Sequence, residues 1–296
     1  MICRVCGKEK ISFEKSEVIV ATDRMTGKKD SFSYAKCEDC GTLQATGINI
    51  SEDMGKYYPE DYYSYDSEIQ QKHIKLAASI IKKHGLTEKS SVLDFGAGGL
   101  ALIKALFRAG VGEDGQEHKL RAFDPYAPIN HEENGLKLQK DFPKDITFDF
   151  VFCNHVLEHS FKPEETLDFI CQALKPGGTV EISVPNPNSF AFNHFKENWV
   201  QLDAPRHLTL FPPQTLVKMA NNKGLEIYGE IEYNSTGFGI IYSMAYEKGV
   251  LYKNVPKWIE KNEFSDQFNY MVTMTAMFFN HIKYGDQYSI TFRRIK

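Results

Sequence analysis

No part of the 296-residue chain stays apolar for the roughly 20 residues that a bilayer-spanning helix needs, so a helical integral membrane protein is not expected. Positive charge is not in excess either. The chain has 35 Lys and Arg against 39 Asp and Glu, a formal charge of −4, and no dense basic stripe interleaved with aromatics. A nucleic-acid partner is therefore not expected. Internal repeats, low-complexity linkers and a secretory leader are also missing, which points to a cytoplasmic protein with reduced thiols. Cysteine is sparse, with six in all. Cys153 and Cys171 lie in apolar contexts and read as small buried hydrophobes. A chain of this length can hold one large core and a small appendage.

The other four cysteines are close to the start. Cys3-x2-Cys6 is followed thirty residues later by Cys37-x2-Cys40, and Gly7 and Gly41 each come directly after the second cysteine of a pair. Two such knuckles give a tetrahedral site four sulfurs from two tight turns, with glycine relieving the backbone. Structural zinc is the expected ligand, and disulfides are the competing account. The apolar runs Val18–Ala21 and Phe32–Ala35 read as the strands of a zinc ribbon, and the long loop between the knuckles favours a ribbon over a finger that reads nucleic acid.

A different chemistry begins at Ser91. A short apolar strand (Val92, Leu93) runs into Asp94 and then the turn Phe95-Gly96-Ala97-Gly98-Gly99, followed by the apolar helix 101–107. Glycine at a strand-to-helix turn lets a ligand approach the backbone closely, and the helix start offers free N–H groups. A second strand, 120–124, ends in Asp124, thirty residues after Asp94 and placed to grip ribose hydroxyls. A third, Phe148–Cys153, runs into Asn154-His155-Val156-Leu157-Glu158-His159. The helix carrying Leu167, Ile170, Cys171 and Leu174 then stops at Lys175-Pro176-Gly177-Gly178, and the strand 179–184 follows.

Taken in order, VLDFGAG at 92–98, AFDP at 122–125, FDFVFCNHVLEH at 148–159 and LKPGGTVEISVPN at 174–186 resemble the class I S-adenosylmethionine-dependent methyltransferases. The resemblance covers residues 70 to 296. It implies an α/β Rossmann-like seven-stranded sheet with an antiparallel last strand, here behind a small N-terminal zinc-binding β domain. It also implies S-adenosylmethionine as cofactor, held by Asp94, Gly96, Ala97, Gly98, Asp124 and Asn154, with Asp141 and Phe142 flanking the adenine. Leu100 stands where that family often has a small residue.

The acceptor side is less sharply written. Gly55–Asp66 holds five tyrosines in nine positions, and Tyr62, Tyr63 and Tyr65 are candidate walls of a substrate pocket or packing for a connector. Ile74, Ala77, Ala78 and Ile81 mark a helix leading into the core. After the last core-strand motif comes Trp199-Val200-Gln201-Leu202-Asp203-Ala204-Pro205-Arg206-His207, where Trp199 and Arg206 are candidate substrate contacts. His207 is the preferred general base, since imidazole titrates near neutrality, and His159 is the second candidate. The head-plus-core layout resembles bacterial sugar methyltransferases, although Arg206 replaces their glutamate and their large C-terminal domain is not matched. The turn carrying His155, Glu158 and His159 resembles the acidic-histidine segment of quinone-precursor O-methyltransferases, which implies a possible second metal.

The expected organisation is a zinc-ribbon-like unit over 1–50, a Tyr-rich connector and leading helix over 51–90, and a methyltransferase domain over 91–296. A helical insertion is expected at about 236–285, where Met271, Met274, Met277 and Phe278 at helical spacing read first as core and second as a lid or homodimer surface. The expected function is methyl transfer to a small polar acceptor, foremost a hydroxyl of a sugar or nucleotide-linked sugar. The alternatives are O-methylation of a quinone precursor or another phenol, a protein or RNA methyltransferase recruited through the ribbon, and a cofactor-binding protein without turnover.

Overall fold

The computed structural model describes residues 2–8, 18–46, 54–58, 69–114, 117–126, 131–133, 136–144, 146–235, 237–254 and 266–295. Tyr62, Tyr63 and Tyr65 lie outside these residues. In chain order the strands are β1 (Ile19–Thr22), β2 (Ser31–Lys36), β3 (Leu43–Thr46), β4 (Val92–Phe95), β5 (Glu113–Asp114), β6 (Glu117–His118), β7 (Leu120–Phe123), β8 (His131–Glu133), β9 (Leu136–Gln139), β10 (Phe148–Asn154), β11 (Leu174–Pro185), β12 (Thr209–Leu210), β13 (Leu225–Ile227), β14 (Glu232–Tyr233) and β15 (Gln287–Arg294). The helices are α1 (Gln71–His84), α2 (Ala101–Arg108), α3 (Pro163–Ala173), α4 (Phe190–Phe195), α5 (Pro213–Asn222), α6 (Gly237–Glu247) and α7 (Asp266–His281). Among the described residues no helix is long and apolar enough to cross a membrane.

The strands that read as unbroken apolar runs form the centre of the large sheet. Val92, Leu93, Val151, Val180, Ile182 and Val184 are fully buried, as parallel strands covered on both faces must be. The order is β13-β15-β11-β10-β4-β7-β9-β8, with β14 beside β15. β11, β10, β4, β7 and β9 run parallel, and β15 enters antiparallel between β11 and β13. This is a Rossmann-like methyltransferase sheet, extended at its margins by the short β8 and β14. Chain order reverses at β4, with β7 on one side and β10 on the other, so a crevice opens at the carboxyl ends of these strands. Asp94, Asp124 and Asn154 all stand at that edge. So does the start of β15, because an antiparallel strand begins where its parallel neighbour ends (Pro185 pairs with Gln287).

Leu100 adopts the left-handed conformation at φ 60° as the N-cap of α2, yet its side chain is buried against Ile103 and Leu106. The conformation costs a branched residue about 1–2 kcal/mol, which burial of a leucine offsets at about 1.5–3 kcal/mol.

The N-terminal residues form an antiparallel sheet, β1-β2-β3, that is finished by β12 from the far side of the chain, with Thr209 opposite Gln44 and Leu210 opposite Leu43. Arg4 Nη1 donates to the carbonyls of Ala45 (2.9 Å) and Leu208 (3.0 Å), and Tyr34 donates its hydroxyl to the His207 carbonyl at 2.9 Å. Phe32, Tyr34 and Leu43 share one apolar cluster with Phe192, Trp199 and Leu202. The small sheet and the large one are thus joined through the segment that carries His207.

The helix expected around residues 74–81 is present with a narrow buried face, while the burial reading of the later Met-rich helix needs correction. In α1 the buried residues are Ala77 and Ile80, whereas Ile74 and Ala78 are exposed. In α7 the inward residues are Val272 and Ala276, while Met271, Met274, Met277 and Phe278 face outward, Met277 at 58 % exposure. Helical spacing shows that these side chains share a face. It does not show which face meets water, and here the smaller residues pack.

Candidate functional site

The four knuckle thiols converge. Gly7 N donates to Cys3 O at 3.1 Å and Gly41 N to Cys37 O at 2.8 Å, and both glycines have φ near +70°. These turns bring Cys3 Sγ to 3.6 Å from Cys40 Sγ, and Cys6 Sγ to 3.7 Å from Cys37 Sγ. All four sulfurs lie within 4.8 Å of one another. A tetrahedron with Zn–S near 2.3 Å has edges of about 3.8 Å, so the donor set and its spacing fit zinc.

At the carboxyl edge of the large sheet is a cavity of about 670 Å³ lined by Gly96, Gly98, Gly99, Asp124, Tyr126 and Phe169, among others. Gly96 (φ +77°) has no room for a side chain, because a Cβ there would lie 2.3 Å from Val156 Cγ2. Asp124 is the hinge of the turn. Its Oδ2 accepts from Gly98 N at 3.1 Å and its Oδ1 from Tyr126 N at 2.9 Å. Burial pushes the Asp124 carboxyl up, partly offset by those two N–H groups. Burial, and then the neighbouring Asp124, push Asp94 up to about 7. Asp94 itself is buried and is not among the residues lining the cavity. Phe142 packs edge-on to Phe123 and 5.3 Å from Phe169, so it stands behind two wall residues. Asp141 and Asn154 are exposed and, like Ala97, are not among the residues lining the cavity.

A second cavity, of about 320 Å³, adjoins the first, and His155 and His159 line both. Its other walls include Met25 from the turn that follows β1, Gln201, Asp203, His207, Asn234, Phe238, Tyr246, Tyr252, Asp286 and Gln287. The three histidines differ in protonation for readable reasons. His155 has both nitrogens on acceptors, Nδ1 at 2.8 Å from Glu158 Oε1 and Nε2 at 2.8 Å from Gln287 Oε1. Burial works against its charge, but these partners outweigh burial and raise its pKa, so it is read as an imidazolium. Burial would likewise push the fully enclosed Glu158 up, and its hydrogen bond to His155 with the nearby histidines instead holds it at about 2.

His159 and His207 meet edge-to-face with centroids 4.6 Å apart. His159 Nδ1 donates to Arg206 O at 3.0 Å and His207 Nδ1 to Gln201 O at 2.7 Å. With Nδ1 committed as a donor, each ring has only Nε2 left for a ligand or a proton. Burial, and then the neighbouring His207 ring, lower His159 to about 4, so it stays neutral. His207 Nε2 lies 3.8 Å from Glu158 Oε1, a carboxylate ready to stabilise a proton on that ring. Glu158, His159 and His207 also bring their ligand atoms within 4.8 Å of one another, and Glu158 Oε2 is buried without a hydrogen-bond partner. This trio differs from the consecutive set suggested by the sequence, because both nitrogens of His155 are already engaged.

The structure places two expected substrate contacts elsewhere. Trp199 is 1 % exposed, with its indole N–H on Asp286 Oδ1 at 3.0 Å. Arg206 is fully enclosed and bonds Asp203, Asp23 and the Tyr57 carbonyl. Neither lines the smaller cavity. Asp286 and Gln287 were not singled out from sequence. The signal for them was the start of the antiparallel last strand, which must fall at the ligand-binding edge. Met25 carried no such signal.

A switch-point cavity framed by a glycine turn and a strand-end carboxylate defines a cofactor-binding α/β protein. More particularly, the chain belongs to a methyltransferase family: the family described as "Methyltransferase domain" matches residues 64–229, more than half of the chain. Among curated proteins it is similar to the ubiquinone biosynthesis O-methyltransferase of Shewanella sp. (strain ANA-3), 31 % identical over 109 residues, covering 34 % of this chain and 46 % of that protein. The protein of the same name from Bordetella avium (strain 197N) is 30 % identical over 187 residues, covering 57 % and 75 %. The chain spans about half the length of the first of these relatives. Among solved structures it is similar to the 1,6-didemethyltoxoflavin-N1-methyltransferase of Burkholderia thailandensis, with 15 % identity, coverage of 90 % and 96 %, and a TM-score of 0.46.

Proposed function

We propose that the protein methylates a hydroxyl group of a small ring acceptor, using S-adenosylmethionine bound in the larger cavity and the acceptor bound in the smaller one. The observation that carries this reading is the shared wall: His155 and His159 border both cavities, so groups bound on either side meet at the histidines. The curated relatives, whose names specify O-methylation in ubiquinone biosynthesis, favour a phenolic acceptor over the sugar hydroxyl suggested by the sequence. Phe238, Tyr246 and Tyr252 offer a flat ring apolar and aromatic walls.

Bound S-adenosylmethionine supplies an electrophilic methyl group. Asp124 and the backbone around Gly96 and Gly98 would hold the cofactor. His159, neutral, packs edge-to-face on the His207 ring and holds it beside the acceptor hydroxyl. On transfer the methyl–sulfur bond would break to leave S-adenosylhomocysteine, the acceptor oxygen would take the methyl carbon, and its proton would pass to His207 Nε2, where the Glu158 carboxylate 3.8 Å away stabilises it. His207→Ala is expected to lower turnover by about 100-fold or more, with cofactor affinity unchanged by calorimetry. Unchanged turnover would remove the base assignment, and a much larger loss in His159→Ala would transfer it.

The donor set Glu158, His159 and His207 is also one a divalent cation accepts, and such an ion would supply polarisation of the acceptor oxygen. A second equivalent of metal that is lost in His207→Ala would favour that reading.

The four N-terminal thiolates are proposed to hold one structural zinc. Purified protein should contain about one zinc per chain, and Cys37→Ser should lose it, as measured by elemental analysis. Because the small sheet is completed by β12, that variant should also lose thermal stability in the catalytic half.

A further inference from the structure

The charges around the smaller cavity do not balance. Among the described residues its wall includes no lysine and no arginine, but it includes the carboxylates of Asp203 and Asp286 and the amides of Gln201, Asn234 and Gln287. The nearby cations are already engaged. Arg206 answers Asp203 and the enclosed Asp23 together, one positive charge against two negative ones. His155 answers Glu158. Among the described residues Asp286 has no ion-paired cation. Its Oδ1 accepts from Trp199, and its Oδ2 is sealed against Gly239, where a Cβ would lie 2.0 Å away, with no hydrogen-bond partner. The amides carry no net charge and cannot neutralise a ligand.

An anion brought into such a cavity would lose its hydration and find uncompensated carboxylates within a low-dielectric wall. A neutral hydroxyl or an ammonium meets no such penalty. We propose that this cavity selects against anions, so that the acceptor is a neutral or cationic hydroxyl-bearing ring and not a carboxylated or phosphorylated one. This rests on the reading of the cavity as the acceptor site. It sets aside nucleotide-linked sugars, whose diphosphate has no basic partner here.

The test uses three ring diols that differ in charge: catechol (neutral), dopamine (cationic) and 3,4-dihydroxybenzoate (anionic). Each is titrated at pH 8 into the full-length, zinc-supplemented protein saturated with S-adenosylhomocysteine. Dopamine and catechol are expected to bind at least about 10-fold tighter than 3,4-dihydroxybenzoate. Asp286→Asn keeps an acceptor for Trp199 and a similar shape while removing one negative charge. It should narrow the ratio of dopamine to 3,4-dihydroxybenzoate affinity by about 10-fold and leave S-adenosylhomocysteine affinity unchanged. Equal affinities for the three probes, no binding by any of them, or preference for the anion would overturn the proposal. If the order holds but no labelled methyl reaches catechol or dopamine, the selection stands and the proposed transfer activity falls.

Discussion

Arg206→Ala is expected to destabilise the protein by about 3–5 kcal/mol in urea unfolding. The guanidinium is fully enclosed. It holds Asp203 through Nε (2.9 Å to Oδ2) and Nη2 (2.6 Å to Oδ1), Asp23 through Nη2 (3.1 Å) and the Tyr57 carbonyl through Nη1 (2.9 Å). Truncation leaves Asp23, itself enclosed, and the largely enclosed Asp203 side by side without their cation. The expected cost is that of uncompensated buried charge, which exceeds what the pair contributes over a well-packed apolar substitute. Arg206→Lys should rescue little, since one ammonium cannot satisfy two carboxylates and a carbonyl in a fixed plane. The loss should extend beyond one element. Asp23 follows β1, Tyr57 ends a short 3-10 turn and Asp203 precedes His207, so the variant loosens the small sheet and the loop that carries His207 together. A loss below about 1 kcal/mol would place Arg206 in the range of surface pairs and contradict its enclosure.

The second large effect concerns the cofactor. Asp124→Ala should weaken S-adenosylmethionine binding by about 100-fold or more, counting a charged hydrogen-bond acceptor at about 1.5–3 kcal/mol and the turn it organises. The turn matters because Asp124 Oδ2 fastens Gly98 N and Oδ1 fastens Tyr126 N. The variant loses both the carboxylate proposed to face ribose and the clasp that shapes the glycine turn. Asp124→Asn separates the two contributions. It keeps one acceptor for the clasp and should recover part of the affinity while the folded state stays intact by circular dichroism. Affinity within a few-fold of wild type in Asp124→Ala would place the cofactor elsewhere.

These two residues were unequally legible in the sequence. Asp124 ends an apolar strand thirty residues after Asp94, and local rules for parallel strands and glycine turns carry that inference without tertiary information. The knuckle cysteines were legible for the same reason, since spacing and the following glycine encode the turn. Arg206 was misread because its neighbour His207 suggested a site. Burial depends on partners 183 residues upstream at Asp23 and 149 upstream at Tyr57, which no local pattern carries. The pairing of His159 with His207 has the same origin. The sequence offered His155, Glu158 and His159 as one turn, but the left-handed backbone of His155 (φ 52°) and its bonds to Glu158 and Gln287 leave His207 to complete the group. The Met stripe of α7 shows the converse limit, for periodicity there was right and the choice of wet face was not.

The sharing of β12 between the two halves has a consequence for biosynthesis. The small sheet gains its last strand only when Thr209 and Leu210 are available to pair with Gln44 and Leu43. On the ribosome the four thiols leave the exit tunnel long before those residues are made. Pairing of the small sheet is therefore completed only after residue 210 has been made, although the four thiols are all present by residue 40. A chain interrupted before residue 209 would carry the thiols to the cell's metal and redox chemistry without the strand that closes the sheet beside them.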